Sequence, residues 1–381
     1  MTTLLATPPR PLNFISRLIF NSPRTLFIVA VWVIVVVKSG FGIFNLELLA
    51  QLAENPFTNP ITEPHLHFLF WSWLTPFLMW TLGIATPTGV LCFFIFFSIA
   101  FTLLFILTAW RFLPDHLARI SLLIFAAMPT SGTVYFLICT DSLTLFLMMA
   151  ALLFPDYKNQ KNLIFVFIIA VLLGMQDFEK IVLAAGALFL GTYLTQRYIK
   201  ENDIEFKYTP TFALTLVFGA VMGKLVLMGI FSYFEIVVNS GRFFWLQNYL
   251  YRVVSVFFYK IQESFYSCLG MAWLVAFYVV FNEKYGKFFG LALLCCFLVL
   301  IIAMDHTRVF ALISLPLMAQ FILFNQNLLS KITKPWAALF CCLWLIAPFV
   351  WILVETHFTM TSHNIFALLI NFFDFDFFVP N

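Results

Sequence analysis

The sequence predicts an all-α, polytopic integral membrane protein. Only 10% of its 381 residues are charged and 62% are hydrophobic, whereas soluble domains typically carry about 25% charged residues. The apolar residues form long runs, and a helix needs about 20 mostly apolar residues to cross the hydrocarbon core of a membrane. The alternation of a membrane barrel is absent from these runs. We therefore expect a single membrane domain, residues 1–381, with about 11–12 membrane helices.

Each predicted helix is an apolar run between polar breaks. In chain order the runs cover residues 25–44, 68–85, 89–110, 118–138, 141–154, 162–175, 179–195, 211–233, 265–281, 288–304, 309–324 and 336–354. The first run follows a basic N-terminal segment, residues 1–24, and lacks the small-residue cleavage site of a signal peptide. We therefore interpret it as a retained signal anchor.

Basic loops predict the orientation, because loops rich in Lys and Arg stay in the cytoplasm. Five loops agree on one side, and their basic residues are Arg111, Arg119, Lys158, Lys161, Arg197, Lys200, Lys207, Lys284, Lys287, Lys331 and Lys334. With the N-terminus also cytoplasmic, the outer face receives a first loop at 45–67, an amphipathic loop at 234–264 and the C-terminal tail at 355–381.

Twelve full crossings cannot satisfy both the basic loops and a cytoplasmic N-terminus, so one early run must not cross. The run at 68–85 contains Trp71, Trp73 and Trp80, which favour an interfacial or re-entrant helix. The alternative is that the short run at 141–154 does not cross. We expect interfacial helices on the outer face in either case.

The first outer loop contains two acidic residues seven positions apart, Glu47 and Glu54. A short helix over 45–54 would present both on one face. A carboxylate held near apolar groups at the membrane surface can act as a general base. The alternative is an amphipathic surface helix with solvated acids.

The string Glu63, His65, His67 places three possible ligands at alternate positions of an extended segment, which suits a metal ion. The alternative is that these histidines form hydrogen bonds to their own loop. Metal use therefore stays open, with a divalent cation as the cofactor to consider.

Two further positions have both a structural and a functional interpretation. Asp141 opens an apolar run, where it can serve as a helix N-cap or help to hold a phosphate or sugar hydroxyl at the helix N-terminus. Lys224 lies near the middle of a predicted span, where an unpaired ammonium is costly, so it needs a partner. That partner can belong to a binding site or to a structural pair.

Basic and aromatic residues alternate in the loop at 234–264, which includes Arg242 and Arg252. This pattern favours a helix lying in the outer interface. Its arginines would suit the phosphate of a lipid carrier, although a plain interfacial helix has the same pattern.

The segment Asp305-His306-Thr307-Arg308 stands between two long apolar runs. Asp305 can cap the helix that begins at His306, and Arg308 can extend to the lipid headgroups. Because three hydrogen-bonding side chains stand together at a helix N-terminus, which attracts anions, we expect Asp305, His306 and Arg308 to form a phosphate-binding site.

Two stretches together resemble GT-C-type glycosyltransferases of the mannosyltransferase-like kind, over residues 25–155. The first is E-x-x-x-x-x-A-E-N-P-F from Glu47 followed by L-x-P-F-L-x-x-x-L-G from Leu74, and the second is AAMPTSGTVYFLICTDSL, which contains Asp141. The resemblance implies a catalytic acid in the first outer loop, which is Glu47 with Glu54 second, and Asp141 at the second acidic position. The first loop has no DxD or ExD pair, which leaves metal dependence open.

The resemblance also implies a function. It is the transfer of a sugar from a polyprenyl-phosphate-linked donor to a lipid or polysaccharide acceptor on the outer face, with Arg308 or Arg242 at the donor phosphate. A weaker resemblance, to polysaccharide polymerases of the O-antigen or EpsG type, gives the first alternative, a polymerase or ligase in which Arg242 or Arg252 dominates. A transporter or flippase is the second, supported by Lys224. We expect membrane lipids but no nucleic acid as partners, and a bacterial cytoplasmic membrane as the location.

Overall fold

The computed structural model describes residues 10–42, 45–136, 139–154, 159–199, 207–238, 242–353 and 355–358. In chain order its α-helices are α1 (Arg10–Asn21), α2 (Arg24–Ser39), α3 (Leu46–Glu54), α4 (Leu74–Thr81), α5 (Pro87–Phe112), α6 (Asp115–Ala127), α7 (Pro129–Phe136), α8 (Asp141–Leu152), α9 (Gln160–Tyr198), α10 (Pro210–Tyr233), α11 (Arg242–Tyr259), α12 (Ile261–Leu269), α13 (Trp273–Asn282), α14 (Gly286–Val299), α15 (His306–Phe324), α16 (Gln326–Ser330) and α17 (Lys334–Ile346).

Short 3₁₀ helices and one hairpin complete the described residues. The 3₁₀ helices are Pro64–Leu69, Gly270–Ala272 and Leu300–Ile302. Strands β1 (Val350–Leu353) and β2 (Glu355–Phe358) pair antiparallel. The predicted predominance of helices is confirmed.

Among the described residues, four helical stretches are long and apolar enough to cross a membrane: Pro87–Phe112, Pro210–Tyr233, Ile261–Asn282 and His306–Phe324. Two bent pairs raise the number to six if each pair is one span. They are α1 with α2, bent by 116°, and α6 with α7, bent by 56°.

The predicted 11–12 membrane helices exceed this number because several apolar runs fold as short helices. Three of them, Asp141–Leu152, Gly286–Ile302 and Lys334–Ile346, are apolar but only 10–17 residues long. The run at 68–85 yields α4, whose 8 residues span about 12 Å. A helix of that length does not cross a bilayer, in keeping with the interfacial helix predicted there.

Helix α9 contains both apolar runs predicted at 162–175 and 179–195, and it doubles back at Asp177, where the backbone leaves helical geometry. Its first half runs along α8, because Phe165 contacts Phe154 at the end of α8 while Gln176 reaches Thr140 at its start. Its second half runs the other way and packs Gly191 against Leu317 of α15. The two halves form a helical hairpin with Asp177 at its tip.

Small residues bring the first half of this hairpin close to α10. A Cβ on Gly223 would collide with the carbonyl oxygen of Val171, and one on Gly174 would collide with that of Ala220. Gly219 and Gly223 of α10 have the small-x-x-x-small spacing of close helix pairs in membranes. The hairpin and α10 therefore form a tightly packed unit.

Helix α15 defines two ends of the bundle. We call the end where it begins, at Asp305, the acidic end, because Asp141 and Asp177 lie there. We call the end where it finishes, at Phe324, the basic end. Phe324 packs against Phe112, and the ion pairs near this end join Lys331 to Glu283, and Arg24 and Arg119 to Asp115. Which of these ends faces the cytoplasm remains a prediction from the loop charges.

The tip of the α9 hairpin is recessed below the acidic end of α10. Glu179, just after the tip, pairs with Lys224, and α10 continues for nine more residues to Tyr233, about 14 Å of helix. Short segments pack around this recess. Thr75 of α4 bonds Gln176, and Phe257 of α11 contacts the ring of His306.

Candidate functional site

Five charged side chains meet at the acidic end: Asp141, Asp177, Lys180, Asp305 and Arg308, here named the ionic cluster. Three separate N-terminal or turn segments supply them, namely the start of α8, the tip of the α9 hairpin and the start of α15. The Lys180 ammonium lies 2.7 Å from Asp177 and 3.3 Å from Asp141. The five residues come from distant parts of the sequence, since 167 positions separate Asp141 from Arg308.

Arg308 joins two of the acids. Its Nε lies 3.0 Å from an oxygen of Asp141 and 3.0 Å from an oxygen of Asp305. The Nε–H points at neither oxygen well enough for a hydrogen bond, so the attraction is mainly Coulombic. The side chain is 20% exposed, and its terminal nitrogens make no hydrogen bond within the part of the chain that the structure describes. The guanidinium is fixed by its inner nitrogen and keeps its outer face open.

Asp305 is the N-cap of α15, as the sequence predicts. Its carboxylate accepts a hydrogen bond from the backbone N–H of Arg308 at 3.2 Å. Burial raises the pKa of Asp305 to about 6; the charge of Asp141 raises it further, whereas Arg308 and Lys180 lower it. This carboxyl therefore exchanges its proton near neutral pH.

The ionic cluster contains three carboxyl groups and two cations, and all of them are buried except the partly exposed Arg308. Burying charges is costly even when they are paired, and hydrophobic residues often replace such pairs without loss of stability. Ionisable groups that are kept buried at such a cost are candidates for a functional site. The cluster is the strongest candidate site among the described residues.

Gln176 connects the cluster to the surrounding segments, and sequence reasoning missed it. The side chain is fully buried. Its carbonyl oxygen accepts hydrogen bonds from the backbone N–H of Thr75 at 3.1 Å and from its hydroxyl at 3.0 Å, and its amide donates to the Thr140 carbonyl at 3.2 Å. The amide thus holds α4 and the start of α8 against the hairpin tip. A buried glutamine beside Asp177 in an apolar run was the available signal.

His306 and Thr307 hold neighbouring segments to α15. The hydroxyl of Ser264 and the Nδ1 of His306 lie 2.7 Å apart, and both side chains are buried. The hydroxyl of Thr307 accepts a hydrogen bond from the backbone N–H of Ile352 in β1 at 3.0 Å. These contacts give His306 a structural environment next to the cluster, whereas its predicted role was substrate binding.

The acids of the first outer loop do not join the cluster. Glu47 and Glu54 lie on the exposed face of α3, the surface helix that their spacing predicts. Leu49 and Leu52, on the opposite face, are buried. Their predicted catalytic role remains a prediction without a contact to Asp141 or Arg308.

Of the two histidines in the string Glu63, His65, His67, the structure describes one ring, that of His67, and it contacts its own loop. His67 is buried, and its Nε2 lies 3.0 Å from the carbonyl oxygen of Ile61. The structure describes only the helical backbone of His65. Within the described residues no three His, Cys, Asp or Glu side chains form a group that could hold a metal ion.

The remaining predicted positions lie apart from the cluster. Arg252 is exposed on α11, and Arg242 begins that helix with a side chain outside the described ones. Lys224 has the partner that its mid-helix position requires. Its ammonium lies 3.7 Å from Glu179 and 3.6 Å from the centre of the Trp71 ring.

A separate cavity lies between α2, the break after α6, the turn after α12 and the start of β1. Lys38 lines it and donates hydrogen bonds to the carbonyls of Trp344 and Leu345 at 2.8 and 3.2 Å. Tyr266, also on its wall, donates to the Pro348 carbonyl at 2.8 Å. These bonds tie the ends of three helices together and involve no member of the ionic cluster.

Comparison of the chain with protein-family models, with curated proteins and with solved structures gives no match. The geometry of the ionic cluster is therefore the basis for a function.

Proposed function

We propose that the protein is a membrane glycosyltransferase. It would move a sugar from a polyprenyl-phosphate-linked donor to a lipid or polysaccharide acceptor at the acidic end, on the outer face of a bacterial cytoplasmic membrane. One observation carries the proposal: the Arg308 guanidinium, anchored by Asp141 and Asp305 at the N-terminus of α15, keeps its outer nitrogens open.

Arg308 suits the donor phosphate for two reasons. A guanidinium presents a planar fork of donors that matches phosphate oxygens. The N-terminus of a helix adds partial positive charge from its free amides. Arg308 has both features, because it lies in the first turn of the 19-residue helix α15.

Asp305 is the carboxylate that we assign as general base. An efficient base has a pKa near the working pH, and the pKa of Asp305 is about 6. Asp141 is already engaged by both Lys180 and Arg308, so its oxygens are less available to an acceptor hydroxyl. Glu47 is exposed on α3 and lies outside the cluster.

The reaction then follows an inverting course. Asp305 takes the proton of the acceptor hydroxyl. As it does so, the oxygen of that hydroxyl forms a bond to the anomeric carbon of the donor sugar. The bond between that carbon and the phosphate oxygen breaks, and its electron pair stays on the phosphate. Arg308 stabilises the added negative charge of the leaving polyprenyl phosphate.

The test is sugar transfer by the full chain in liposomes supplied with a panel of polyprenyl-phosphate-linked hexoses and a glycolipid acceptor. We expect Asp305→Asn to reduce turnover at least about a hundredfold, in the range of general-base loss, whereas Glu47→Gln retains most activity. If Glu47→Gln abolishes transfer and Asp305→Asn does not, the base is in the first outer loop and our assignment is wrong.

A transporter or flippase is the second candidate, and the hairpin tip favours it. Broken helices and buried charges at membrane depth are typical of transporters, and α9 breaks at Asp177 beside Lys180. This function predicts movement of a labelled polyprenyl-phosphate sugar across a liposome membrane without an acceptor. Transfer without such movement supports the glycosyltransferase.

A further inference from the structure

One charged residue interrupts the outer surface of α10. The helix exposes apolar side chains along one side, and these are Leu214, Phe218, Val221, Leu225 and Met228. Lys224 lies among them with its side chain 18% exposed, some nine residues before the helix ends at Tyr233. An ammonium at this depth is costly in hydrocarbon, so it needs polar surroundings.

Those surroundings come from the hairpin tip and from the chain that leads into α4. The Lys224 ammonium lies over the ring of Trp71, 3.6 Å from its centre, which is a favourable cation–π distance. It lies 3.7 Å from the Glu179 carboxylate, whose side chain is 43% exposed. On the side of a membrane bundle, a carboxylate this exposed needs polar groups beside it, because lipid chains alone would penalise its charge.

The Lys224–Glu179 pair lies next to the ionic cluster. Glu179 and Lys180 are consecutive in a helical turn, so their side chains point in directions about 100° apart. Glu179 turns outward to Lys224, whereas Lys180 turns inward to Asp141 and Asp177. One turn of helix therefore connects the side of the bundle with the buried site.

We propose that Lys224, Glu179 and Trp71 form a lateral binding site for the phosphate headgroup of a lipid that moves from the membrane toward the ionic cluster. The Lys224 ammonium holds the phosphate, the Glu179 carboxylate accepts a hydrogen bond from the adjoining hydroxyl or amine, and the lipid chain lies along the apolar side of α10. The role in substrate access rests on the proposed function, whereas the binding itself does not.

The test is photocrosslinking of the full chain in phosphatidylcholine nanodiscs. Two probes carry a diazirine in their hydrocarbon chain, a polyprenyl phosphate and a phosphatidylethanolamine, and peptide mass spectrometry locates the crosslinks. We expect the polyprenyl phosphate to label residues 221–228, with labelling about tenfold lower in Lys224→Gln, the effect of losing one charge-assisted hydrogen bond. Lys224→Arg, which keeps the charge, should retain it.

Lys331→Gln is the matched control, since it removes the Lys partner of Glu283 at the basic end. It should leave labelling unchanged. Equal labelling of wild type and Lys224→Gln would overturn the site. Equal Lys224-dependent labelling by both probes would mean a structural phospholipid and would overturn the access role. The crosslinking experiment contains no sugar acceptor, so it tests binding independently of transfer. Lys224-dependent labelling together with no sugar transfer in the liposome assay would count against the proposed function and not against the binding site.

Discussion

The two ends of the bundle use the same side-chain types in opposite ways. At the basic end, the pairs of Lys331 with Glu283 and of Arg24 with Asp115 include exposed members. The buried Arg119 of this end also pairs with the exposed Asp115. At the acidic end, the charges are buried and carboxyl groups outnumber cations. Exposed ion pairs contribute little to stability. Removing one partner of a buried ion pair is costly, and buried ionisable groups concentrate at functional sites. The difference separates a surface feature from a site.

Removing one cation at each end tests whether the two ends differ in their contribution to stability. Arg308→Gln leaves Asp141 and Asp305 without their shared cation in a buried site. We expect its free energy of unfolding to fall by about 3–5 kcal/mol, measured by thermal unfolding of the purified protein in detergent. A loss no greater than that of Lys331→Gln would mean that the cluster is not a distinct, buried ionic site.

Two buried glutamines extend the comparison to neutral groups. Gln176 at the acidic end makes three hydrogen bonds, whereas Gln320 toward the basic end accepts one from the backbone N–H of Tyr208. Replacing Gln176 by Leu removes all three bonds and leaves the buried Thr75 hydroxyl without its acceptor, whereas the Thr75 N–H keeps the Ser72 carbonyl and the Thr140 carbonyl keeps Thr144. We expect this to destabilise the protein by about 1–3 kcal/mol, more than Gln320→Leu does. The same thermal assay checks it, and the reverse order would contradict the importance of the Gln176 network.

The pH dependence of transfer sharpens the role of Asp305. This carboxyl must be ionised to accept a proton, and its pKa is about 6. Below that pH the rate should fall about tenfold per unit, because the ionised fraction does so. Arg308 on its own helix, Asp141 from α8 and Lys180 from α9 are the charged groups that face it. This fall in rate at low pH should disappear in Asp305→Asn. The measurement is the residual activity of that variant between pH 4.5 and 7.5, about the range that brackets the pKa of Asp305. An unchanged fall in rate would assign the titration to another group.

The smallest effect belongs to the basic end. Lys331 is about half exposed, at 46%, although its ammonium lies only 2.6 Å from Glu283. We expect Lys331→Gln to change the free energy of unfolding by less than about 1 kcal/mol and to leave transfer unaffected. A large loss of stability or of transfer activity would show that the Lys331–Glu283 pair has more than a surface role.

Composition and loop charge predicted the helical membrane fold and the opposition of its two ends, because apolar run length and charge placement are local properties of a sequence. They overestimated the number of spans. Whether the run at 141–154 crosses or ends as the 12-residue α8 depends on which helices surround it.

The sequence also predicted Asp305 as a cap and singled out Asp141, Arg308 and Lys224. It did not indicate that Asp141 and Arg308 form one ion pair, since long-range contacts follow from packing and not from local pattern. Lys180 and Gln176 are not singled out by the sequence, because the residues around Asp177 are typical of a short loop between two predicted spans. The turn is in fact recessed beside α10.

In our proposal, the ionic cluster at the acidic end carries out the chemistry through the guanidinium fork of Arg308. The most direct measurement is the turnover of Arg308→Lys in the liposome transfer assay, beside Lys331→Gln. Lysine keeps the charge that pairs with Asp141 and Asp305 but loses the fork. We expect a folded protein whose turnover is reduced about a hundredfold, in the range for loss of one transition-state donor, with Lys331→Gln near wild type. Wild-type turnover by a folded Arg308→Lys would contradict the claim.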